Sequence, residues 1–274
     1  MNKAFNLLKT EIKKVTGLGT VPGRYLTIFP DDVFLVSYPR SGNTWTIFLL
    51  GNYLFNTQIN FYNYNKVFPS IYKFNAAQLS QMKRPRIIKS HEGLNKKYPK
   101  VIYLLRDPRD VCISYYFYQK KNKEITIPLE TYVEKFIHGT NSPYGEWKKH
   151  VYGWINNRNK IKKGFMFFRY EDLKKNTSNE LKKMIKFLGY EIDEKKINDA
   201  VVNSSFDSMR RLETKQEEEV SFLKKSDKEI KFIRSGKSDF MEYFKNFDTR
   251  IVEKFKTAFD ESLLKLGYEN DATW

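Results

Sequence analysis

The sequence predicts a single α/β domain: a central parallel sheet, flanking helices, and a P-loop-like turn at the end of one strand. Three observations lead there. Short apolar runs rich in β-branched and aromatic residues alternate with helical patterns, which is how parallel strands are joined through crossovers. No internal repeat, low-complexity linker or abrupt change of composition interrupts the 274 residues, so one domain over 1–274 is the simplest division. Finally, one strand runs into a glycine-containing turn that opens a helix, and open α/β sheets bind ligands at the carboxyl ends of their strands.

Val33–Tyr38 (VFLVSY) is short, apolar and stopped by Pro39, and reads as a buried strand. Arg86–Ser90 (RIIKS) is the second strand, Val101–Leu105 (VIYLL) the third, and the fourth lies within Lys160–Arg169. Helices are predicted from Thr44 (TWTIFLLGNYLF) and from Val111 (VCISYYFY). Others cover Thr177–Leu188, capped by Thr177 or Ser178 and stopped by Gly189, then Glu194–Asn203, and Thr249 to Leu266 before Gly267. Tyr170–Leu173 reads as a turn into helix, and Glu213–Lys231 as an exposed, mobile, charged stretch. The first 30 residues read as a helical lead-in. There Phe5, Leu8, Ile12 and Val15 share one face among lysines, a face suited to packing on its own domain or to weak peripheral contact with a membrane.

Composition narrows the function. Hydrophobic residues at 41% and aromatics at 16% support a sizeable core and exclude global disorder. Cys112 is the single cysteine, so no disulfide forms within the chain, and His91, His138 and His150 are not spaced as ligands; no metal is expected. Lys9, Lys13 and Lys14 break up any signal-like run, and no stretch reaches the roughly 18 apolar residues of a membrane span, so a cytoplasmic location is expected. The formal charge of +17, from 49 basic and 32 acidic residues, favours anionic partners such as nucleotides or acidic glycans. A solvated lysine surface accounts for it equally well.

The turn after the first strand is Pro39-Arg40-Ser41-Gly42-Asn43, followed by Thr44 and Trp45. Unpaired N–H groups and the positive end of the helix dipole meet at such a helix start, so an anion binds there. Gly42 lets the backbone approach a phosphate, Ser41 and Thr44 add hydroxyl donors, and Arg40 adds a charged fork. The leading glycine and the Lys-Ser/Thr pair of a Walker A loop are both missing.

SYPRSGNTW resembles the phosphosulfate loop of the sulfotransferase family, usually Tyr-Pro-Lys-Ser-Gly-Thr-Thr-Trp in cytosolic members. VIYLLRDPRDVCISYY resembles the family's second motif, in which an arginine and a serine eight residues later, here Arg106 and Ser114, bind a 3′-phosphate. IKSH matches the strand end that carries the catalytic base. FRYEDL, SSFDSM and FIRSGKSDF resemble three later landmarks, so the likeness covers roughly Asp31 to Phe247. Departures accompany it. Arg40 replaces a lysine, Ser235 replaces the lysine of Arg-Lys-Gly between Arg234 and Gly236, Phe240 stands near a common tryptophan, and the cytosolic dimerisation motif is not recognisable.

The resemblance implies transfer of a sulfuryl group from 3′-phosphoadenosine 5′-phosphosulfate (PAPS) to a hydroxyl or amine, releasing 3′,5′-adenosine bisphosphate. It implies a general base at His91, with Glu92 as rival because some Golgi-type relatives use a glutamate, and charge stabilisation by Lys89 and Arg40. Donor contacts are implied for Arg40, Ser41, Gly42, Asn43, Thr44, Trp45, Arg106, Ser114, Tyr170, Phe206, Arg234, Ser235 and Gly236, and a mobile lid for 213–247. Read without it, His91 is a loop histidine, Trp45 and Phe206 are core residues as readily as adenine walls, and Tyr170 is a strand cap. The acceptor, a small molecule or glycan, is expected to meet 56–74, 120–150 and 213–234, with Phe61, Tyr62, Tyr64, Tyr118, Tyr144 and Trp147 as its aromatic surroundings. Two other classes stay open: a P-loop-like nucleotide kinase or NTPase, against which the missing Walker lysine argues, and a basic nucleic-acid-binding protein, for which no reader motif is present.

Overall fold

The computed structural model describes residues 26–55, 57–224, 230–234, 240–271 and 274. The lead-in face of Phe5, Leu8, Ile12 and Val15 lies outside these residues, as do Ser235 and Gly236. Four strands, β1 (Val33–Ser37), β2 (Ile87–Ser90), β3 (Lys100–Leu105) and β4 (Phe165–Arg169), pair in parallel in the order β2-β1-β3-β4. Successive side chains leave opposite faces of a strand. Phe34, Val36, Val101, Tyr103 and Leu105 accordingly enter one core, and Val33, Leu35, Ile102 and Leu104 enter the other. Two covered faces explain why β1 and β3 read as unbroken apolar runs rather than as alternation. The fourth strand is shorter than expected: Arg158–Lys160 is a 3₁₀ turn, and Gly164, at φ 122°, leads into Phe165.

Helices α1 (Asn43–Leu54), α2 (Pro108–Lys121), α3 (Leu129–Ile137), α4 (Trp147–Ile155), α5 (Tyr170–Lys175), α6 (Thr177–Leu188), α7 (Glu194–Asn203), α8 (Phe206–Gln216) and α9 (Thr249–Lys265) surround the sheet. One-turn helices at Tyr64–Val67, Ala76–Ser80, Ser221–Lys224 and Phe240–Phe244 sit in the connections. The apolar stripes of α1, α6 and α7 cover one face, through residues such as Leu49, Met184 and Ile197. Those of α2, α3, α4 and α9 cover the other, through Ile113, Phe136, Trp154 and Phe259. The cap of α6 is Asn176, whose side chain accepts from the Asn179 N–H, in place of the expected Thr177 or Ser178.

Three stretches differ from expectation. The span 120–150, read as variable loop, carries α3 and the start of α4, because Tyr132, Val133 and Phe136 recur at helical spacing and bury. Phe61 and Trp147, expected around the acceptor, are core residues, and Tyr62 is exposed. The charged stretch from Glu213 begins inside α8. Glu213 itself is buried, and its carboxylate accepts the N–H groups of Phe232 and Ile233 at 2.5 and 2.8 Å.

The strand order places the site. From β1 the chain proceeds to β2 on one side, and from β3 to β4 on the other, so a crevice opens between the carboxyl ends of β1 and β3. At the opposite end, a buried ion pair ties β2 to the start of β1. Arg86 donates to Asp32 through Nε at 2.8 Å and again through Nη2, and its guanidinium also reaches the carbonyls of Leu79 and Thr27. Removing one partner of a buried pair leaves an uncompensated charge. Asp32→Ala is expected to cost about 3–5 kcal/mol of unfolding free energy, and the double variant Asp32→Ala/Arg86→Met to recover much of that. Urea titration of the three proteins checks it.

Candidate active site

The turn between β1 and α1 is built from two left-handed residues, Arg40 at φ 68° and Gly42 at φ 103°. Left-handed backbone is costly for arginine, and it is held there because Arg106 Nη1 donates to the Arg40 carbonyl at 3.1 Å. Gly42 is required twice: by its φ, and because a Cβ there would stand 2.5 Å from Tyr170 Cδ2. The Gly42 carbonyl accepts from the Thr46 N–H, starting α1. Asn43 is buried and donates to Ser37 Oγ at 3.0 Å.

A cavity of about 520 Å³ opens at this end of the sheet, within the usual range for small-molecule sites. Arg40, Gly42, Asn43, Thr44, Trp45, Lys89, His91, Arg106, Ser114, Tyr170, Phe206 and Arg234 all line it. Ser41 is buried beside it, in the turn. The structure thus brings together every described residue singled out for the donor or for catalysis except Glu92, whereas Phe61, Tyr62 and Trp147 do not line the cavity. The Glu92 carboxylate is exposed, accepts the Tyr72 hydroxyl at 3.0 Å and does not line the cavity.

On the β3 side, Arg106 lies 4.4 Å over the Tyr170 ring and 3.6 Å from Asp110. Arg40 Nε donates to Ser114 Oγ at 3.2 Å, and its guanidinium sits between the rings of Tyr118 and Phe232, 4.8 and 5.0 Å from their centroids. Burial, with the charges of Arg106 and Arg234 nearby, pulls Arg40 down to about 10. Arg106 Nε and Ser41 Oγ are buried with no hydrogen-bond partner. Buried donors are rarely left unpaired in native proteins, so the residues present fit a phosphate-bearing ligand. Trp45 and Tyr170 meet edge to face at 5.5 Å, and Trp45 Nε1 donates to the Ser204 carbonyl. That leaves Trp45 half-buried at the wall rather than in the core.

On the β2 side, the register pairs Val36 with Ser90, which sets His91 beside Ser37. His91 Nδ1 lies 2.8 Å from the Ser37 carbonyl. A carbonyl only accepts, so Nδ1 carries the proton and Nε2 keeps its lone pair. The backbone of His91 is pinned as well. Its N–H donates to Tyr72 Oη at 2.7 Å, and its carbonyl accepts from His150 Nε2 at 3.0 Å, while Trp154 Nε1 holds the Glu92 carbonyl. Burial, followed by the charge of Lys89, holds the His91 imidazole well below its ordinary range. Lys89 is pulled down to about 8, chiefly by burial. Sequence reasoning missed Ser37, Tyr72, His150 and Trp154. Only the pairing register and the placement of α4 reveal them.

A parallel sheet with a phosphate turn at its switch point, a second basic group after the neighbouring strand and an imidazole poised with a free lone pair define a nucleotide-dependent group-transfer enzyme. The family follows from comparison. A sequence model described as "Sulfotransferase domain" matches residues 30–267. Human sulfotransferase 2A1 is 31% identical over 254 residues, covering 87% of this chain and 86% of the relative. Bovine sulfotransferase 1E1 is 28% identical, covering 85% and 84%. The crystal structure of mouse sulfotransferase SULT7A1 complexed with PAP superposes with a TM-score of 0.68 at 25% identity, covering 87% of this chain and 85% of that one. The chain belongs to the sulfotransferase family, and it is a PAPS-dependent enzyme of that family.

Gly42→Ala tests the turn. It is expected to cost about 1–3 kcal/mol in stability and, by displacing Tyr170, to weaken binding of 3′,5′-adenosine bisphosphate at least about tenfold. Urea titration and calorimetry read the two effects separately.

Proposed function

We propose that the chain transfers a sulfuryl group from PAPS to a hydroxyl of a small-molecule acceptor, with His91 as general base and Lys89 stabilising the leaving oxygen. The observation that carries this reading is the Nδ1–H···O=C bond from His91 to Ser37, on the wall of the cavity that Lys89 shares. It fixes the tautomer that a base requires. Nε2 takes the proton of the acceptor hydroxyl as the acceptor oxygen bonds to sulfur. The sulfur–oxygen bond to the adenosine bisphosphate breaks, and its electron pair stays on the departing oxygen. Lys89 faces the negative charge that collects there. Such transfers are in-line displacements in which positioning and electrostatics do most of the catalysis.

Lys89 and His91 are alternate residues and point to one side of the β2 end. Arg106, Ser114, Arg234 and Arg40 hold the 3′-phosphate. Ser114 accepts from Arg40, which supports placing Arg40 with the 3′-phosphate group as well as the bridge. Glu92 is the weaker base candidate, because its carboxylate is engaged by Tyr72 outside the cavity. Trp45, Tyr170 and Phe206 form the adenine walls, since all three line the cavity beside the turn.

Three measurements test this. A saturating 100-fold excess of 3′,5′-adenosine bisphosphate over its dissociation constant should add about 2.7 kcal/mol of stability. AMP at the same concentration should add far less, and an equal shift with AMP overturns the donor assignment. His91→Ala should lower kcat by about 10²–10⁴-fold while leaving bisphosphate affinity in place; full activity in that variant transfers the role to Glu92. The pH profile has a definite shape. His91 is held well below its ordinary range, chiefly by burial, so no acid limb should appear near 6.5. Lys89 is cationic below about 8 in the free enzyme and loses its charge above it. The value of kcat/KM should therefore fall as pH rises through about 8, and Lys89→Arg should move that limb upward.

A further inference from the structure

The wall of the cavity beyond β2 carries a second cation, one strand spacing outside Lys89. Residues 69–71 run parallel to the outer side of β2: the Lys89 N–H donates to the Pro69 carbonyl at 2.8 Å, and the Ile71 N–H to the Lys89 carbonyl. Lys73 follows, turned back by its N–H bond to the Ser70 carbonyl. Its side chain lines the cavity, with the ammonium 5.7 Å from the Tyr64 ring centroid and 5.1 Å from that of Phe222. Among the described residues, no carboxylate stands within ion-pair distance of it. Glu124, the one carboxylate on the cavity wall among the described residues, is exposed and takes a bond from Asn122.

Topology separates Lys73 from the groups that hold the 3′-phosphate. Arg106 and Ser114 follow β3, and across the order of the sheet β1 and β2 intervene before the 69–71 segment. Three inter-strand spacings amount to about 14 Å, beyond the reach of a lysine side chain toward a 3′-phosphate anchored at β3. The His91 end of β2 is only one spacing away, about 5 Å. An acceptor with its hydroxyl at His91 therefore lies alongside Lys73, among the rings of Tyr64, Tyr144, Phe222 and Phe232. Rings on several sides suit a planar ring. An ammonium over two of them suits an anion that completes its shell.

Resting on the sulfotransferase reading above, we propose that Lys73 seats an anionic group of the acceptor, so that the preferred acceptors are ring hydroxyl compounds carrying a carboxylate or similar anion. The test uses the full chain saturated with 3′,5′-adenosine bisphosphate and three probes that differ in one group: 4-hydroxyphenylacetate, the neutral 4-hydroxyphenethyl alcohol, and the cationic tyramine. Calorimetry gives their affinities, and sulfation with PAPS gives kcat/KM. The acid is expected to bind about tenfold better than the neutral compound. Lys73→Met should abolish the difference, and Lys73→Glu should move the preference to tyramine, with bisphosphate affinity unchanged in both. Equal binding of acid and neutral compound, equal loss of both in Lys73→Met, or no binding of any probe overturns the proposal. Weakened bisphosphate binding in Lys73→Met places the residue at the donor instead and equally overturns it. Failure of the wild-type chain to bind bisphosphate is a separate result, which strikes the donor reading and not Lys73.

Discussion

The rest of the site depends on one backbone constraint, the left-handed turn at Arg40 and Gly42 that reverses β1 into α1. Such a turn points successive N–H groups into the crevice and starts a helix whose dipole faces the same way. It survives because neighbours over-determine it: Arg106 holds the Arg40 carbonyl, and Tyr170 leaves room for no side chain larger than hydrogen at position 42. Arg106 comes from the end of β3 and Tyr170 from the end of β4. The turn therefore exists only when the sheet has assembled in its β2-β1-β3-β4 order.

A second consequence of that order is the fixed posture of His91. Four elements hold it: β1 through the Ser37 carbonyl, α1 through Asn43 to Ser37 Oγ, the 69–74 segment through Tyr72, and α4 through His150 and Trp154. His150 serves here as a neutral group, pulled down to about 4 by burial, accepting from Tyr103 and donating to the His91 carbonyl. An imidazole held on every side except one nitrogen loses little freedom when a ligand arrives, the kind of preorganisation that lowers a barrier. The two histidines differ only in surroundings: one faces a cavity and the other a core.

Much of this was legible in the sequence, for reasons that particular residues show. Buried parallel strands leave unbroken apolar runs, so β1, β2 and β3 were placed nearly to the residue. The phosphate turn was legible because Gly42 is demanded by the backbone and its neighbours Ser41 and Thr44 are hydroxyl residues of the kind an anion site uses. Helices α3 and α4 were not, since their apolar stripes are interrupted by Lys135, Lys148 and Lys149 and carry tyrosines that read equally well as a ligand surface. The buried role of Glu213 was hidden for another reason. It lies in a charged run, and only its carboxylate meeting the Phe232 and Ile233 N–H groups distinguishes it from solvated neighbours. Contacts that span more than fifty residues, such as His91 with Ser37's carbonyl on one side and α4 on the other, leave no spacing to read.

The arginine at position 40 keeps the charge of the usual lysine but changes the wiring of the fold. A lysine there would present a point charge on a flexible stem; arginine presents a flat fork that stacks and bonds at once. Here the fork lies between Tyr118 of α2 and Phe232, gives one N–H to Ser114 and another to the Phe232 carbonyl at 3.5 Å. Glu213 of α8 holds the N–H groups of Phe232 and Ile233. A continuous path of polar contacts thus runs from α8 through residues 232–233 to the phosphate turn and on to α2. Residues 232–233 are consequently tied to the turn through the Arg40 side chain. A phosphate that engaged the Arg40 fork would meet a guanidinium that already gives one N–H to Ser114 and one to the Phe232 carbonyl, with its remaining donors left for the anion.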